Sequence, residues 1–307
     1  MALPSSPIDG GAMAAVLTPL DRFHNPDPAM LIEHCERLLA QGCTGLAVLG
    51  TTGEANSLTV RERLALLDAL GASAIDGGML VPGVGCCAVP DTVALCRKAV
   101  EIGAAGVLML PPFYYKPVSD EALFAAYSDV IQHVGDPRLR ILLYHIPQYS
   151  GVRITHGLIA MLTEAYPDTV VGIKDSEGDF AGLKATAEAF PGFRVFSGWD
   201  RHLLDLLRIG GAGTITACNN VAMKLSADLL AHWQEPDADA RQAALDAIAE
   251  LLPKYPLIEA LKETLARATG NLAWRTVRPP LLPMSPESAA QLRRDLGAAG
   301  FSPDLAA

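Results

Sequence analysis

Lys174 is the residue in this chain best placed for covalent chemistry. The run Val170-Val171-Gly172-Ile173 before it reads as a buried strand, and the lysine stands at its end. A lysine taken out of water is held more readily as the neutral amine, which attacks a carbonyl and forms a Schiff base. A lone lysine at a strand end also serves simply to reach solvent or to pair with a neighbour such as Asp175. The case therefore rests on what stands at the other strand ends. Gly50-Thr51-Thr52-Gly53-Glu54 offers two hydroxyls and several exposed backbone N–H groups, a turn able to cradle a carboxylate or a phosphate. It is too short for a nucleotide P-loop and lacks that loop's lysine. Tyr144 offers a phenol that can relay protons, or a single structural hydrogen bond. Polar or aromatic residues also close the runs ending at Pro112-Phe113-Tyr114-Tyr115-Lys116 and Ser197-Gly198-Trp199-Asp200, and Asn219-Asn220 follow the last run. The histidines include no H-x-x-x-H pair and join no cluster of cysteines or carboxylates, so no metal site is expected. No G-x-S-x-G elbow occurs.

These residues need a scaffold that gathers strand ends. Apolar runs at 12–19, 45–50, 80–85, 106–111, 140–147, 170–174, 193–198 and 213–218 are nearly continuous, as in parallel strands covered on both faces. Helix-period segments lie between them. Thr59 with Glu62 forms a capping box, and Ser119 and Thr155 stand at two further helix starts. Eight such β/α units predict a (β/α)8 barrel, whose function gathers at the C-terminal ends of its strands. The rival, a doubly wound sheet, carries a Gly-rich nucleotide turn after its first strand, and none follows the first run here. Beyond residue 225 only helices are expected, at 225–234, 237–252, 255–269 and 286–298, the last capped by Ser285. The expected organisation is a catalytic barrel over 1–224 and a C-terminal helical region over 225–307 packed on it.

Half of the 307 residues are hydrophobic, enough for a substantial core. Acidic residues outnumber basic ones by 34 to 24, a net charge of −10 that disfavours general nucleic-acid binding. Six scattered cysteines without a C-x-x-C make no disulfide framework and read as reduced, mostly buried thiols. The N-terminal MALPSSPIDG has no basic or apolar leader region, and no apolar run reaches membrane-helix length. A cytoplasmic protein with no membrane association is expected.

Taken together, GTTGE after the second strand, PPFYY after the fourth, Tyr-x-Ile-Pro on the fifth and GIKD on the sixth resemble the dihydrodipicolinate synthase / N-acetylneuraminate lyase family. The resemblance runs from about residue 10 into the helical tail, including RPPLLP at 278–283. It implies a TIM barrel and a class I, pyruvate-type lyase or aldolase. Lys174 then matches the Schiff-base lysine, so that the enzyme needs no cofactor or metal beyond its own covalent imine. Tyr144 matches the proton-shuttling tyrosine, and Thr51 the hydroxyl linking it to a second tyrosine. Tyr114, rather than Tyr115, matches that second tyrosine, which in the family arrives from a neighbouring subunit. Thr52 and Gly53, with the turn's N–H groups, match the site for the substrate carboxylate. Gly198 and Ile215 match positions lining the substrate. The family precedent is a homotetramer built as a dimer of dimers.

The chain departs from the synthases after Tyr-x-x-Pro. Synthases carry S-R-T-G there, the arginine holding the second substrate's carboxylate, whereas this chain has Gln148-Tyr149-Ser150-Gly151. Tyr149 stands at the arginine position, and the nearby Arg153 is poorly placed to replace a bidentate clamp. Ala55-Asn56-Ser57-Leu58 lacks the histidines of lysine-inhibited synthases. These departures favour reversible C–C cleavage of a sugar-derived or other 2-oxo acid to pyruvate and an aldehyde. Dihydrodipicolinate synthase and 2-keto-3-deoxy sugar-acid dehydratase are the alternatives. Gln148, Tyr149, Ser150, Trp199 and Asp200, and more weakly Asn219 and Asn220, are the candidates for the distal half of the substrate.

Overall fold

A computed structural model describes residues 6–303. The first half of the N-terminal stretch read above for a leader, 1–5, and the last four residues of the tail lie outside them. Seven parallel strands form one sheet: β1 (Gly11–Ala15), β2 (Leu46–Ala47), β3 (Val107–Met109), β4 (Ile141–His145), β5 (Val170–Asp175), β6 (Arg194–Ser197) and β7 (Gly213–Thr216). Their order is β2-β1-β7-β6-β5-β4-β3, so the sheet curls with β2 and β3 at its two edges.

The sequence reading expected eight strands, and the eighth stave is present in a broken form. Residues 80–84 lie between β2 and β3. Val81 N–H donates to Leu46 O at 2.9 Å and Gly83 N–H to Val48 O at 2.8 Å on one side. On the other, Leu108 N–H donates to Pro82 O at 2.9 Å and Val84 N–H to Leu108 O at 3.0 Å. Pro82 has no N–H, so the ladder toward β3 loses a rung at that point. The stave closes the barrel through bridges at Leu46–Leu80 and Gly83–Leu108.

Side-chain alternation divides the strand residues between two layers. Met13, Ala47, Val81, Leu108, Leu142, Phe196 and Ile215 fill the barrel interior. Ala12, Leu46, Ile141, Leu143, Val170, Ile173 and Val195 face outward into the layer under the helices. The expected caps are in place. Thr59 and Glu62 form the capping box, and Ser119, Thr155 and Ser285 accept N–H groups of their first turns.

The C-terminal region differs from expectation at its start. The first helix there runs Asn219–His232, not from 225, and carries both asparagines in its opening turn. Helices Ala238–Ala249, Leu257–Thr269 and Pro286–Ala298 follow. Ile248, Leu252, Leu261, Leu265, Trp274 and Leu292 gather in a cluster that includes Leu17 from the end of the first stave. No helix among the described residues is long and apolar enough to cross a membrane.

Candidate active site

Strand parity places the lysine. In β5, Ile173 and Asp175 face outward, so Gly172 and Lys174 face the barrel axis. Register pairs Lys174 with Tyr144 on one side and Phe196 on the other. Beneath the lysine, position 172 of β5 has no room for a side chain. A Cβ on Gly172 would lie 2.4 Å from Arg194 O and 2.8 Å from the Leu142 side chain. Lys174 and Tyr144 are buried, at 5% and 4% exposure. Lys174 Nζ donates to Tyr144 Oη at 3.5 Å and lies 4.5 Å from the centre of its ring. Tyr144 Oη is 3.2 Å from Thr51 Oγ1, either hydroxyl being able to donate. An amine, a phenol and an alcohol thus form one chain of contacts, the arrangement needed to carry protons to and from a group attached to the amine.

The three groups open into a cleft of about 590 Å³ at the C-terminal end of the strands. Thr52, Gln148, Tyr149, Gly198 and Ile215 line it as well. Gly198 packs so tightly that a Cβ would lie 2.1 Å from Ser176 Oγ. Gln148 Nε2 and Trp199 Nε1 both donate to Ser176 O, at 2.6 and 3.1 Å, tying together the loops after β4, β5 and β6. Three residues from the sequence reading, besides the asparagines treated below, stand apart from the cleft lining. Ser150 is buried, its hydroxyl held by Ile146 O at 3.1 Å and Val152 O at 3.0 Å. Gly53 is buried in the turn, its carbonyl accepting from Thr18 Oγ1 at 2.8 Å. Tyr114 is 75% exposed, edge-on to Tyr115 at 5.3 Å.

Two readings of nearby polar residues change, that of Asp175 and that of the asparagines after β7, while Arg153 stays out of the cleft as expected. Asp175 does not pair with Lys174: it faces the other side of the strand, where it accepts Glu177 N–H at 2.8 Å. Burial pushes its carboxyl upward. Arg153 is committed to Glu177 by two bonds of 2.6 Å. His145 Nδ1 accepts Ile154 N–H at 3.0 Å, so its other nitrogen carries the proton toward Glu177 at 3.2 Å. Asn219 and Asn220, candidates for the distal substrate, are fully buried and structural. Asn219 Nδ2 donates to Met13 O at 2.9 Å. Asn220 Nδ2 donates to Ala15 O and Ala217 O, both at 2.8 Å, while its Oδ1 accepts Leu17 N–H at 3.0 Å.

Asp200 is buried in the cleft wall, and its Oδ1 accepts from Thr216 Oγ1 at 2.6 Å. Burial raises its carboxyl to about 6, and the neighbouring Asp246 adds to the rise while Lys174 opposes it. Lys174 is the one cation among the described residues lining this cleft, against the carboxylates of Asp200 and Glu259. Beyond Trp199 a smaller recess of about 200 Å³ carries Arg201 and Glu250. No group of three or more His, Cys, Asp or Glu side chains among the described residues is arranged to hold a metal.

The sequence reading missed one wall. Ala249, Leu252, Tyr255, Pro256, Leu257 and Ile258 from the helical tail line the cleft opposite the strand ends. The signal was Tyr255-Pro256, which breaks the helical pattern and points a loop back toward the barrel mouth. Glu54, at the end of the Thr-Thr-Gly turn, is bonded to Lys262 of the tail with both side chains fully buried. Burial draws the Lys262 ammonium below its usual range, and the Glu54 carboxylate opposes this.

The sequence pattern of the Dihydrodipicolinate synthetase family matches residues 9–299. An uncharacterised DapA-like lyase of Chloroflexus aurantiacus is 36% identical over 285 residues, 92% of this chain and 94% of the relative. The solved dihydrodipicolinate synthase of Agrobacterium tumefaciens superposes with a TM-score of 0.87 at 32% identity, covering 95% of this chain and 99% of that one. A prophage protein of the dihydrodipicolinic acid synthase family from E. coli K12, solved with pyruvate, gives 0.85 at 27% identity, covering 95% and 98%. The chain belongs to the dihydrodipicolinate synthetase family, whose members are lyases.

Proposed function

We propose that this chain is a Schiff-base lyase that cleaves, reversibly, the C–C bond of a sugar-derived 2-oxo acid to give pyruvate and an aldehyde. The observation that carries the reading is the contact chain Lys174–Tyr144–Thr51 at the floor of a cleft whose lining, among the described residues, holds no other cation. Lys174 Nζ attacks the keto carbon, and water leaves as the imine forms. Tyr144 passes protons between the amine and the departing oxygen, with Thr51 holding its hydroxyl in line. Thr52 and the free N–H groups of its turn hold the substrate carboxylate. Loss of a proton from the aldol hydroxyl releases the aldehyde, and the bonding pair moves into the iminium to give an enamine. Protonation and hydrolysis then release pyruvate and restore the amine.

The lining supports a neutral, hydroxylated distal half. Asp200, Gln148, Tyr149 and Ser176 offer hydrogen-bonding groups, while a second carboxylate would meet no cation there among the described residues. A second reading, the synthase reaction with aspartate semialdehyde, is favoured by the likeness to the Agrobacterium enzyme. Tyr114 and Tyr115 stand out from the surface as an aromatic pair suited to a second copy of the chain, which makes a homo-oligomer part of this proposal.

The test is borohydride reduction in the presence of pyruvate, read by intact mass and peptide mapping. An irreversible adduct on Lys174 is the expected result, and absence of any adduct with pyruvate or longer 2-oxo acids would sink the reading. A panel of aldehydes that includes aspartate semialdehyde separates lyase from synthase. Release of water without pyruvate would point instead to the dehydratase.

A further inference from the structure

The turn after β2 holds two non-glycine residues in the left-handed region, Leu49 with φ 57° and Glu54 with φ 55°. Such conformations persist where the surroundings hold them in place. Leu49 is locked in the barrel's apolar layer. Glu54 is held by the tail: one carboxylate oxygen accepts from Lys262 Nζ, and the other accepts Arg278 N–H at 3.0 Å. Lys262 also donates to Thr276 O at 2.8 Å. Arg278 in turn reaches Ser57 O at 2.6 Å and Glu62 at 2.8 and 3.1 Å, on the far side of the turn. A fully buried ion pair is a poor source of net stability, because desolvation of both charges offsets their attraction. Its better-attested use is to fix one arrangement over others.

We propose that Glu54 and Lys262 are positioning residues: their buried pair fixes the backbone of Thr51-Thr52-Gly53 so that its donors grip the substrate carboxylate. The inference rests on the function proposed above and adds a tail residue to the machinery. The tail thereby reaches the chemistry twice, by lining the cleft and by anchoring the carboxylate turn from below.

The test compares two ketones that differ only in the carboxylate. Wild type, Glu54→Gln and Glu54→Gln/Lys262→Met are titrated with pyruvate and with acetone, and the imine on Lys174 is trapped with borohydride. The double variant leaves neither position of the pair charged. If it does not fold, Glu54→Gln carries the test, since an unpaired Lys262 can shed its proton. The expected result is a rise of about tenfold or more in the pyruvate concentration for half-maximal trapping, the size of one lost hydrogen bond to a charged group. Acetone trapping stays within about twofold. Equal losses for both ketones, or no change for either, would overturn the proposal. Wild type that traps neither pyruvate nor a longer 2-oxo acid overturns the lyase reading instead, and this one with it.

Discussion

The turn after β2 and the helix start after β7 carry similar residues at the same end of the barrel, with opposite hydrogen bonding. In the first, Thr51 spends its hydroxyl on Tyr144. Thr52 lines the cleft, and no partner within the described residues takes its hydroxyl or its N–H. In the second, Asn219 and Asn220 direct their amides at Met13 O, Ala15 O and Ala217 O, stitching the helix Asn219–His232 to β1 and to the residues just before its start. Both look alike in sequence, as short polar residues closing an apolar run. What separates them is whether neighbouring backbone already consumes their donors. Free donors at a strand end mark a site, and consumed donors mark a splice.

The sharpest way to test that distinction is to delete groups from each region and read chemistry separately from folding. Lys174→Ala removes the nucleophile and should take turnover to background while the circular dichroism spectrum is unchanged. Retained turnover would end the imine reading. Tyr144→Phe keeps the ring under the lysine and removes only the hydroxyl, so the rate should fall about a hundredfold, the usual range for a general acid–base group. A drop of less than threefold would make Tyr144 a packing residue. The counterpart is Asn220→Ala. It orphans Ala15 O and Leu17 N–H in a buried place and should cost about 2–4 kcal/mol in a urea titration. The activity of the molecules that remain folded should stay near wild type. Loss of activity without loss of stability would place Asn220 on the functional side after all.

The barrel was legible from the sequence because parallel strands buried on both faces leave continuous apolar runs, and eight were present. Pro82 then decided which of them would not register as a regular strand, a local effect of one missing N–H. The lysine, the tyrosine and the two threonines were legible because barrel topology says where to look. Their family resemblance added roles that no spacing could supply. The tail's part was not legible. Tyr255 and Lys262 come to the site through the cluster that joins Leu261, Leu265 and Trp274 with Leu17 and through the Lys262–Glu54 pair, long-range contacts without a local signature. The asparagines misled for a related reason: hydrogen-bond consumption depends on β1, some two hundred residues away in sequence.

Asp200 lies between the two regions in character, and its behaviour sharpens the comparison most finely. It lines the cleft, as Thr52 does, yet one oxygen is already taken by Thr216. Burial raises its carboxyl from 3.8 to about 6. The folded protein therefore holds this proton more tightly than the unfolded chain does. The resulting stabilisation is complete below about pH 3.8 and is lost as pH rises through about 6. Asp200→Asn keeps an oxygen for Thr216 and cannot ionise. At pH 4 it should match wild type in a denaturant titration. At pH 7.5 it should be the more stable protein, by up to about 3 kcal/mol, which is the full value of the raised carboxyl. A substrate hydroxyl that relies on the ionised carboxylate would then bind less well to the variant at neutral pH, and pyruvate trapping would change little, since Lys174 contributes least to the carboxyl's shift. Equal stability at both pH values would mean that water reaches the carboxylate freely, and Asp200 would then belong with the open polar groups of the turn rather than with the buried splice.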